Sequence, residues 1–430
     1  MPKLNHELRD GIHGFVHFNR LEKRLIDSEP FQRLRCIHQL AMSYQVYPGA
    51  VHNRFEHSLG VMQFAGRIFD TLFGGRVSDS VNDRISEQLE QKIYWRQVVR
   101  IAALLHDIGH LPFSHAAEKE LLPEGWNHER LTVDMIRNSE IAEILQKSPP
   151  YINPEHVVDA AWDLKKRAKV ESLTSDPWRQ LLNEIICGDT FGADRIDYLL
   201  RDSWHAGVSY GRFDPDRLIA GLTCVIDPSN DEVALALDRS SVHAAEALLL
   251  ARYFMYSQVY FHHVRRAYDI HLKEFLQKWL PDGRFDADSQ KMLEITDHEV
   301  TAGMRKTLSE VDSPLHTLAK RVLARDHFRT VYSLNPAHKA RVPDILDRVV
   351  KFAEDQFGTE GVRSDQYTQG SNPSDFLVVV GEDQTESSLV VSDVIAKTPS
   401  IDIGLVFVDR SHQKGAEKAI PDFLTKLISD

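Results

Sequence analysis

The chain has 430 residues and a formal net charge of −12, from 51 basic and 63 acidic side chains. This length allows a large hydrophobic core and two or three domains. The acidic balance excludes a global basic field of the kind that holds nucleic acid, which is therefore not a favoured partner. The three cysteines have no paired spacing, which favours a reducing compartment. No apolar stretch reaches the ~18 residues of a membrane span, so we expect a cytoplasmic protein without membrane contact.

The predicted elements are mostly helical in the first half of the chain and mixed in the second. Helical patterns begin near Arg54, cover 98–105, and run from Gly192 to Asp202. A β-hairpin is predicted over 223–237 and a long helix over 241–279. A polar linker over 358–375 precedes strand-like runs at 376–380 and 403–408 and a closing helix over 415–428. The pattern predicts a large helical domain with appended α+β pieces.

The segment 106–115, with the sequence HDIGHLPFSH, places three histidines and a carboxylate directly after the apolar helix at 98–105. A charge and an imidazole at the edge of a core are costly unless compensated, and a divalent cation is the usual compensation. Gly109 and Pro112 turn the chain, so that His110 and His115 point back at the same place. The alternative is a helix end with solvated histidines.

Two other helical segments supply ligands of the same type. A set of two histidines and two carboxylates is drawn from three helices: His57, His106, Asp107 and Asp194. Mixed imidazole and carboxylate ligands suit Fe, Mn, Ni or Zn, and less well Mg. Four protein ligands on an octahedral ion leave positions for water and substrate, so the sequence predicts a catalytic divalent-metal site.

One competing motif is a serine pattern. Residues 207–211 match the G-x-S-x-G sequence of a nucleophile elbow, which needs a strand before the serine and a helix after it. Here a helical pattern containing Asp202 precedes the motif and Asp214-Pro215 follows it, so we predict a glycine-bounded loop. The sequence also lacks a phosphate-binding G-x-x-x-x-G-K-[ST] loop, so bound phosphates must be held by metal and basic side chains.

The order of His57, His106-Asp107 and Asp194 resembles that of the HD-domain metal-dependent phosphohydrolases. The stretches 31–40 (FQRLRCIHQL) and 47–58 (YPGAVHNRFEHS) resemble the deoxynucleoside triphosphate triphosphohydrolases of this superfamily. The similarity is greatest to the group that includes the human sterile-alpha-motif and HD-domain enzyme and its bacterial relatives. It extends from about residue 10 to about residue 268. The resemblance implies hydrolysis of deoxynucleoside triphosphates (dNTPs) to deoxynucleoside and inorganic triphosphate, with Mg possible on the nucleotide phosphates.

The same resemblance implies a catalytic set beside the metal. Its members are candidates for water activation and leaving-group protonation: His110, His115, Glu118, His128 and Glu129. His115 is the preferred general acid at the nucleoside oxygen. His128-Glu129, with Asn127 as a helix N-cap, is interpreted as a proton-handling pair rather than only a helix start.

A substrate-binding set is implied in the same way: Gln39, Leu40, Arg54, Arg195, Tyr198, Asp202, Arg252 and Tyr260. Arg54 and Arg195 are suited to phosphate because guanidinium binds its oxygens bidentately, and Arg252 is placed on phosphate by the resemblance. Asp202 and Gln39 are expected at the 3′-hydroxyl. Tyr198 and Leu40 leave no room for a 2′-hydroxyl, and Tyr260 is expected near the base or sugar. A packed aromatic stripe is the alternative for the tyrosines.

Asp27, Gln32 and Arg35 flank a predicted helix start at Pro30, with Asp27 or Ser28 near the cap. In the human member of the family, the matching residues read guanine in an activator site that assembles tetramers. The resemblance therefore implies a GTP or dGTP effector and a homo-oligomer, either a dimer or a tetramer. The alternative is a capped helix whose Arg35 points to solvent.

The resemblance and the element pattern together predict a mainly α fold: an HD-domain helical core with a small hairpin and a C-terminal α+β appendage. The expected division is a phosphohydrolase core over 1–280, a helical extension over 281–357, a linker over 358–375 and a small α+β region over 376–430. Two other functions stay open. One is another HD-type reaction, on a phosphomonoester, a cyclic nucleotide or an alarmone. The other is non-catalytic binding of a nucleotide or single-stranded nucleic acid.

Overall fold

The computed structural model describes residues 4–75, 77–116, 118–162, 167, 176–368, 374–381 and 384–429. The fold is 62% helical, which confirms the prediction of a mainly α protein. In the described residues up to 206, the helices are Arg20–Ile26, Glu29–Arg33, Arg54–Phe73, Asp79–Glu90, Lys92–Leu105, Glu118–Leu121, His128–Asn138, Glu140–Lys147, Pro154–Ala161, Pro177–Cys187 and Ala193–Ala206. The later helices are Pro215–Ala220, Val242–Met255, His263–Trp279, Ser289–Leu293, Asp297–Ser309, His316–Leu323, Pro336–Arg341, Ile345–Phe357, Ser388–Val391, Asp393–Ala396 and Gln413–Ser429.

The described strands form three small sheets. They are β1 (His6–Asp10), β2 (Gly14–Phe18), β3 (Leu222–Asp227), β4 (Glu232–Asp238), β5 (Arg329–Ser333), β6 (Val362–Thr368), β7 (Leu377–Gly381), β8 (Gln384–Ser387) and β9 (Asp402–Val408). β1 and β2 make an antiparallel hairpin. The second sheet has the order β3-β4-β7-β8 with β4 parallel to β7, and the third has the order β5-β9-β6.

Three helices of the first half position the polar residues that the sequence singles out. The His57 helix (Arg54–Phe73) begins with a capping box in which Asn53 and Glu56 satisfy each other's backbone N–H groups. It packs against the His106 helix (Lys92–Leu105), whose last two turns are buried on every face. The Asp194 helix (Ala193–Ala206) packs across the His57 helix. The ends and inner faces of these helices meet beside one large hydrophobic core.

A second core lies between the sheet β5-β9-β6 and two amphipathic helices, Ile345–Phe357 and Gln413–Ser429. Helix His263–Trp279 joins this unit to the rest of the protein, because Ala267 packs with Phe328 and Phe407 of the sheet unit. Among the described residues, no helix combines the length and the apolar character that a membrane crossing requires.

The hairpin, the strands near 376–380 and 403–408, and the closing helix are confirmed. Residues 207–211 form the predicted loop. Its first residue, Gly207, ends the Asp194 helix with a φ of 72°, a left-handed conformation that suits glycine. The single helix predicted over 241–279 is wrong. The segment contains Val242–Met255 and His263–Trp279, separated by a π-helical turn at Tyr256–Tyr260. Such turns interrupt the regular spacing on which the prediction depended.

Two other expectations are corrected in the second half. Part of the segment predicted as a linker, Val362–Thr368, is β6, and residues 369–373 lie outside the described residues. This strand is the edge of its sheet, so its outward side chains are polar and it resembles a linker in sequence. The predicted helical extension over 281–357 also contains strand β5. The predicted C-terminal region contributes to two sheets, since β7 joins β4 and β9 joins β5 and β6.

Candidate metal-dependent active site

Of the four side chains predicted as metal ligands, His57, His106 and Asp107 form one compact group that could hold a metal ion, and Asp194 adjoins its two histidines. Asp194 Oδ1 lies 3.0 Å from His57 Nε2 and 3.6 Å from His106 Nε2. The Asp107 carboxylate lies 3.6 Å from His57 Nε2 and 3.4 Å from His106 Nε2. Both Nε2 atoms are buried without a hydrogen-bond partner. These donors fit a divalent cation, because ligands about 2.1 Å from an octahedral ion lie about 3 Å from one another.

Groups behind the two histidines fix the direction of their rings. His57 Nδ1 lies 2.9 Å from Asp197 Oδ2, and His106 Nδ1 lies 2.8 Å from the carbonyl oxygen of Ala103. A proton on each Nδ1 satisfies these acceptors and directs the Nε2 lone pair into the cluster. This is the neutral form in which histidine binds a metal.

The electrostatics of the cluster favour a cation at its centre. Burial opposes ionisation of Asp107. The positive charge of Arg54, and to a lesser extent His106, nevertheless holds the pKa of Asp107 well below its usual value. The pKa of Asp194 is also lowered, because interactions with His106 and His57 outweigh the cost of burial. At His57, Asp194 and Asp197 overcome burial and raise the pKa to about 10, so the ring without a metal holds a second proton, which a bound cation would replace. The carboxylates are therefore ionised, and the site attracts positive charge.

A second cluster adjoins the first and is organised by Glu118. Its Oε1 accepts from the backbone N–H of His128 at 2.6 Å and lies 2.7 Å from His128 Nδ1. Its Oε2 lies 2.9 Å from His115 Nδ1. The rings of His110 and His128 stack with their centroids 3.9 Å apart, and the ring of His115 meets that of His110 edge-on at 4.6 Å. One carboxylate thus orients both His115 and His128.

His110 connects the two clusters, since its Nε2 lies 3.3 Å from Asp107 Oδ1. Burial, Arg54 and His128 hold the pKa of His110 well below the usual value. At His128, Glu118 overcomes the effect of burial and raises the pKa. Glu118 is the carboxylate hydrogen-bonded to His128, while Glu129 accepts from Asn127 Nδ2 at 3.4 Å and its charge also helps to raise the pKa of His128. The proton-handling pair of His128 and Glu129 stays a prediction.

Three of the residues predicted around a sugar contact one another, and two of them, Tyr198 and Asp202, lie on the same helix as Asp194. Asp202 Oδ1 lies 2.7 Å from His52 Nε2, and Asp202 Oδ2 accepts from the Tyr260 hydroxyl at 2.7 Å. The rings of Tyr260 and Tyr198 meet edge-on with centroids 6.2 Å apart. The Gln39 backbone N–H donates to the His52 carbonyl oxygen at 3.0 Å, and its side-chain Oε1 is buried without a partner. Leu40 is buried beside Gln39.

Two of the arginines predicted to bind phosphate have unsatisfied N–H groups. Arg195 follows Asp194 directly, and its Nε and Nη1 are buried without a hydrogen-bond partner. The Nε atom of Arg252 is also buried without a hydrogen-bond partner, and the guanidinium carbon of Arg252 lies 5.6 Å from the centre of the Tyr256 ring. Unpaired buried donors are costly, so both guanidinium groups suit an anionic ligand. Arg54 differs, because it donates to Asp107 and, through Nε, to Ser114 Oγ at 2.8 Å.

The predicted effector residues are only partly brought together. Ser28 is the N-cap of helix Glu29–Arg33, with Pro30 in its first turn as predicted. Arg35 Nε donates to Gln32 Oε1 at 2.9 Å, and its guanidinium lies 3.5 Å from the centre of the Phe55 ring. Asp27 instead forms an exposed ion pair with Lys23, one helical turn earlier. Arg35 therefore packs on an aromatic ring and is at the same time exposed to solvent.

Sequence reasoning missed the buried ionic network behind His57. Asp197 Oδ1 lies 3.2 Å from His13 Nε2, in the turn that joins β1 and β2. Asp197 Oδ2 also accepts from Arg201 Nε at 2.7 Å. The only local signal was the position of Asp197, three residues after Asp194 and four before Arg201. The role of His13 depends on a contact between residues 184 positions apart, which no local spacing shows.

Comparison with known proteins agrees with this geometry. The HD-domain family profile matches residues 54–199, and that of the HD associated region matches residues 213–357. A crystal structure of a hypothetical protein from Aquifex aeolicus superposes with a TM-score of 0.78 and 35% identity, covering 96% of this chain and 98% of that one. The chain belongs to the HD-domain family.

Two curated relatives of this HD-domain protein differ in what is known of them. The uncharacterized protein YwfO of Bacillus subtilis is 36% identical over 280 residues, which are 64% of this chain and 57% of that protein. The deoxynucleoside triphosphate triphosphohydrolase SAMHD1 of Gallus gallus is 31% identical over 359 residues, which are 73% of this chain and 54% of that protein. The chain thus spans about half the length of these curated relatives.

Proposed function

We propose that the protein is a metal-dependent dNTP triphosphohydrolase that releases a deoxynucleoside and inorganic triphosphate. The observation that carries the proposal is that three kinds of groups lie close together. They are a metal-type cluster, unpaired buried guanidinium N–H groups at Arg195 and Arg252, and the pair of Tyr198 and Tyr260. Arg195 and Tyr198 lie on the Asp194 helix, and Arg252 contacts Tyr256, whose ring meets that of Tyr260. The three kinds of groups suit the three parts of the substrate: the reacting phosphate, the other phosphates and the sugar. The similarity to SAMHD1 supports the choice of substrate.

The metal would be held by His57, His106, Asp107 and Asp194, whose donors fit an Fe, Mn, Ni or Zn ion. Such an ion, when bound, polarises a phosphate oxygen and acidifies a coordinated water. Arg54 holds the Asp107 carboxylate in position by a buried ion pair. Ala103 and Asp197 orient His106 and His57 from behind. The chain therefore provides two oriented histidines and one carboxylate held by an ion pair at this site.

Proton transfer is assigned to the cluster of His110, His115 and His128 with Glu118. Glu118 accepts from Nδ1–H of His115 and so stabilises the protonated imidazolium form of this ring. In that form the Nε2–H is donated to the departing nucleoside oxygen, which leaves a neutral imidazole. The side chain of His115 is 60% exposed, so it can reach a bound substrate. His110 lies against Asp107, where it can accept a proton from an attacking water. Attack at the α-phosphorus breaks its bond to the nucleoside oxygen.

Selection for deoxyribose is assigned to packing rather than to a hydrogen bond. Tyr198 packs edge-on against Tyr260, which is itself bonded to Asp202, so moving the Tyr198 ring aside for an added hydroxyl would disturb this packing. Leu40, which is buried, is assigned to the apolar surface around the sugar, and Gln39 Oε1 offers an unpaired acceptor for the 3′-hydroxyl. We further propose a guanine-nucleotide effector at Gln32 and Arg35, with Asp27 released from Lys23, and a homo-oligomeric assembly.

Product chromatography tests the proposal. The protein is incubated with each dNTP and ribonucleoside triphosphate in the presence of Mn²⁺, Fe²⁺, Ni²⁺, Zn²⁺ or Mg²⁺. We expect a deoxynucleoside and tripolyphosphate in equal amounts from dNTPs. Release of orthophosphate, pyrophosphate or nucleoside monophosphate would instead indicate another HD-type reaction. Binding without turnover in every metal would indicate a nucleotide-binding protein.

A further inference from the structure

The loop that carries the candidate proton-transfer histidines has a strained backbone. Residues 110–115, called here the catalytic loop, include Phe113 with φ 57° and Ser114 with φ 58°. Non-glycine residues rarely adopt this left-handed conformation, and two in succession persist only where the surroundings enforce it. The loop therefore depends on contacts from outside itself.

A single buried carboxylate from the HD-associated region supplies the central contact. Asp297 is 1% exposed, and its Oδ1 accepts from the backbone N–H of Phe113 at 2.6 Å. Its Oδ2 accepts from the backbone N–H of His38 at 2.9 Å and lies 2.5 Å from His38 Nδ1. Asp297 is the first residue of helix Asp297–Ser309, but Thr296 and Glu299 already form the capping box there. Its carboxylate serves distant segments rather than its own helix.

Neighbouring contacts secure the loop on both sides of Phe113. Ser114 Oγ donates to the carbonyl oxygen of His38 at 2.6 Å. Arg33 Nη1 donates to the carbonyl oxygen of His110 at 2.9 Å, while its Nε and Nη2 donate to the carbonyl oxygen of Ile295 at 3.1 and 3.0 Å. Segments 33–38 and 295–297 thus hold the catalytic loop between them.

We propose that Asp297 is a positioning residue that holds the catalytic loop in its strained conformation and so sets the place of His110 and His115. The inference rests on the proposed function, because it assumes that these histidines transfer protons during hydrolysis. It assigns the HD-associated region a direct part in the active-site geometry. Asp297 acts through the Phe113 amide and is not expected to touch the substrate.

Asp297→Asn tests this role, because it keeps the side-chain shape but removes the charge and one acceptor oxygen. We expect kcat to fall by roughly tenfold to a hundredfold, since small displacements of catalytic groups have effects of that size. KM and bound metal should stay at the wild-type level. The matched control is Asp288→Asn, which changes an exposed N-cap in the same region and should leave kcat within about twofold. A kcat within about twofold for Asp297→Asn, or a fall matched by an equal loss of metal, would overturn the proposal.

Hydrogen–deuterium exchange provides a readout that does not depend on activity. The Phe113 amide should exchange faster in Asp297→Asn than in the wild type, and at the wild-type rate in Asp288→Asn. If no dNTP is hydrolysed by the wild type, the proposed function fails, while faster exchange still supports the positioning role. Unchanged exchange at Phe113 refutes that role whatever the substrate is.

A milder variant covers the case in which Asp297→Asn does not fold. His38→Ala removes the ring beside Asp297 Oδ2 and leaves the bond from Phe113 to Oδ1. We expect a fall in kcat of several-fold, on the order of a weakened hydrogen bond, and faster exchange at Phe113. Wild-type kcat together with wild-type exchange in His38→Ala would then refute the proposal.

Discussion

The buried carboxylate behind His57 offers a sharp test of how the metal site is built. Asp197→Asn keeps the size of the side chain but removes the charge that faces His57 Nδ1 at 2.9 Å. An amide can present either its oxygen or its NH₂ group to the imidazole, so the tautomer that leaves Nε2 free for metal is no longer enforced. We expect metal affinity to fall roughly tenfold to a hundredfold, which is about 1.4–2.7 kcal/mol.

The same substitution also affects stability, because Asp197 is one of three carboxylates around the fully buried Arg201. Arg201 donates to Asp197 Oδ1 at 2.9 Å, to Asp10 Oδ2 at 2.8 Å and to Glu56 Oε2 at 3.2 Å. Asp10 and Glu56 remain in the variant, so the Arg201 guanidinium keeps two of its three carboxylate partners. We expect the free energy of unfolding without metal to fall by about 1.5–3 kcal/mol, the range for a charged hydrogen bond.

The assay is a competition titration of Mn²⁺ against a chelator, with chemical unfolding of the metal-free protein as the second measurement. Asp216→Asn is the control, because Asp216 forms an exposed ion pair with Arg67. Surface pairs contribute little, so neither measurement should change by more than about 1 kcal/mol in the control. Folded Asp197→Asn with wild-type Mn²⁺ affinity would refute the role of Asp197 in orienting His57.

Three further outcomes follow from the geometry. Tyr198→Ala should raise the rate with ribonucleoside triphosphates relative to dNTPs, measured as the ratio of kcat/KM values, and an unchanged ratio would contradict the sugar pocket. GTP or dGTP should stimulate dATP hydrolysis by the wild type but not by Asp27→Ala. Equal rates with and without effector in both the wild type and Asp27→Ala, together with an unchanged oligomer mass, would refute the effector hypothesis. Burial alone would raise the pKa of Glu274. Pairing with His271 and Arg363 outweighs this effect and lowers the pKa of Glu274 to about 2. Its stabilisation is therefore complete above the ordinary pKa of 4.5 and is lost as the pH falls towards about 2. In urea unfolding, Glu274→Gln should cost up to about 3 kcal/mol at pH 7 and progressively less below pH 4.5, and a difference independent of pH would contradict the assignment.

The metal-type cluster could be predicted from the sequence because its ligands lie at helix ends with strong local signals. The apolar helix before His106 and the helical pattern that begins near Arg54 indicated where two of the ligands lie in the fold. The helix that carries Asp194 was equally clear from its spacing. The packing of these three helices then brings the ligands together.

The groups that orient the site could not be predicted in the same way. His13 reaches Asp197, and Asp297 reaches Phe113, across 184 residues in each case, and no periodicity encodes such contacts. The π-helical turn at Tyr256–Tyr260 has the composition of an ordinary helix, so the pattern gave no sign of it. Val362–Thr368 is polar because it is an edge strand, and tertiary pairing with β9 rather than local preference makes it a strand.

The most direct test of the central claim is to hydrolyse a dNTP in water labelled with a heavy oxygen isotope. The account places attack at the α-phosphorus, so one labelled oxygen should enter the inorganic triphosphate for each bond broken. The deoxynucleoside should carry none. His106→Ala, which removes a metal-type ligand, should form neither product while its helical circular dichroism persists. Label in the deoxynucleoside, pyrophosphate as the product, or full activity of a metal-free preparation would contradict the account.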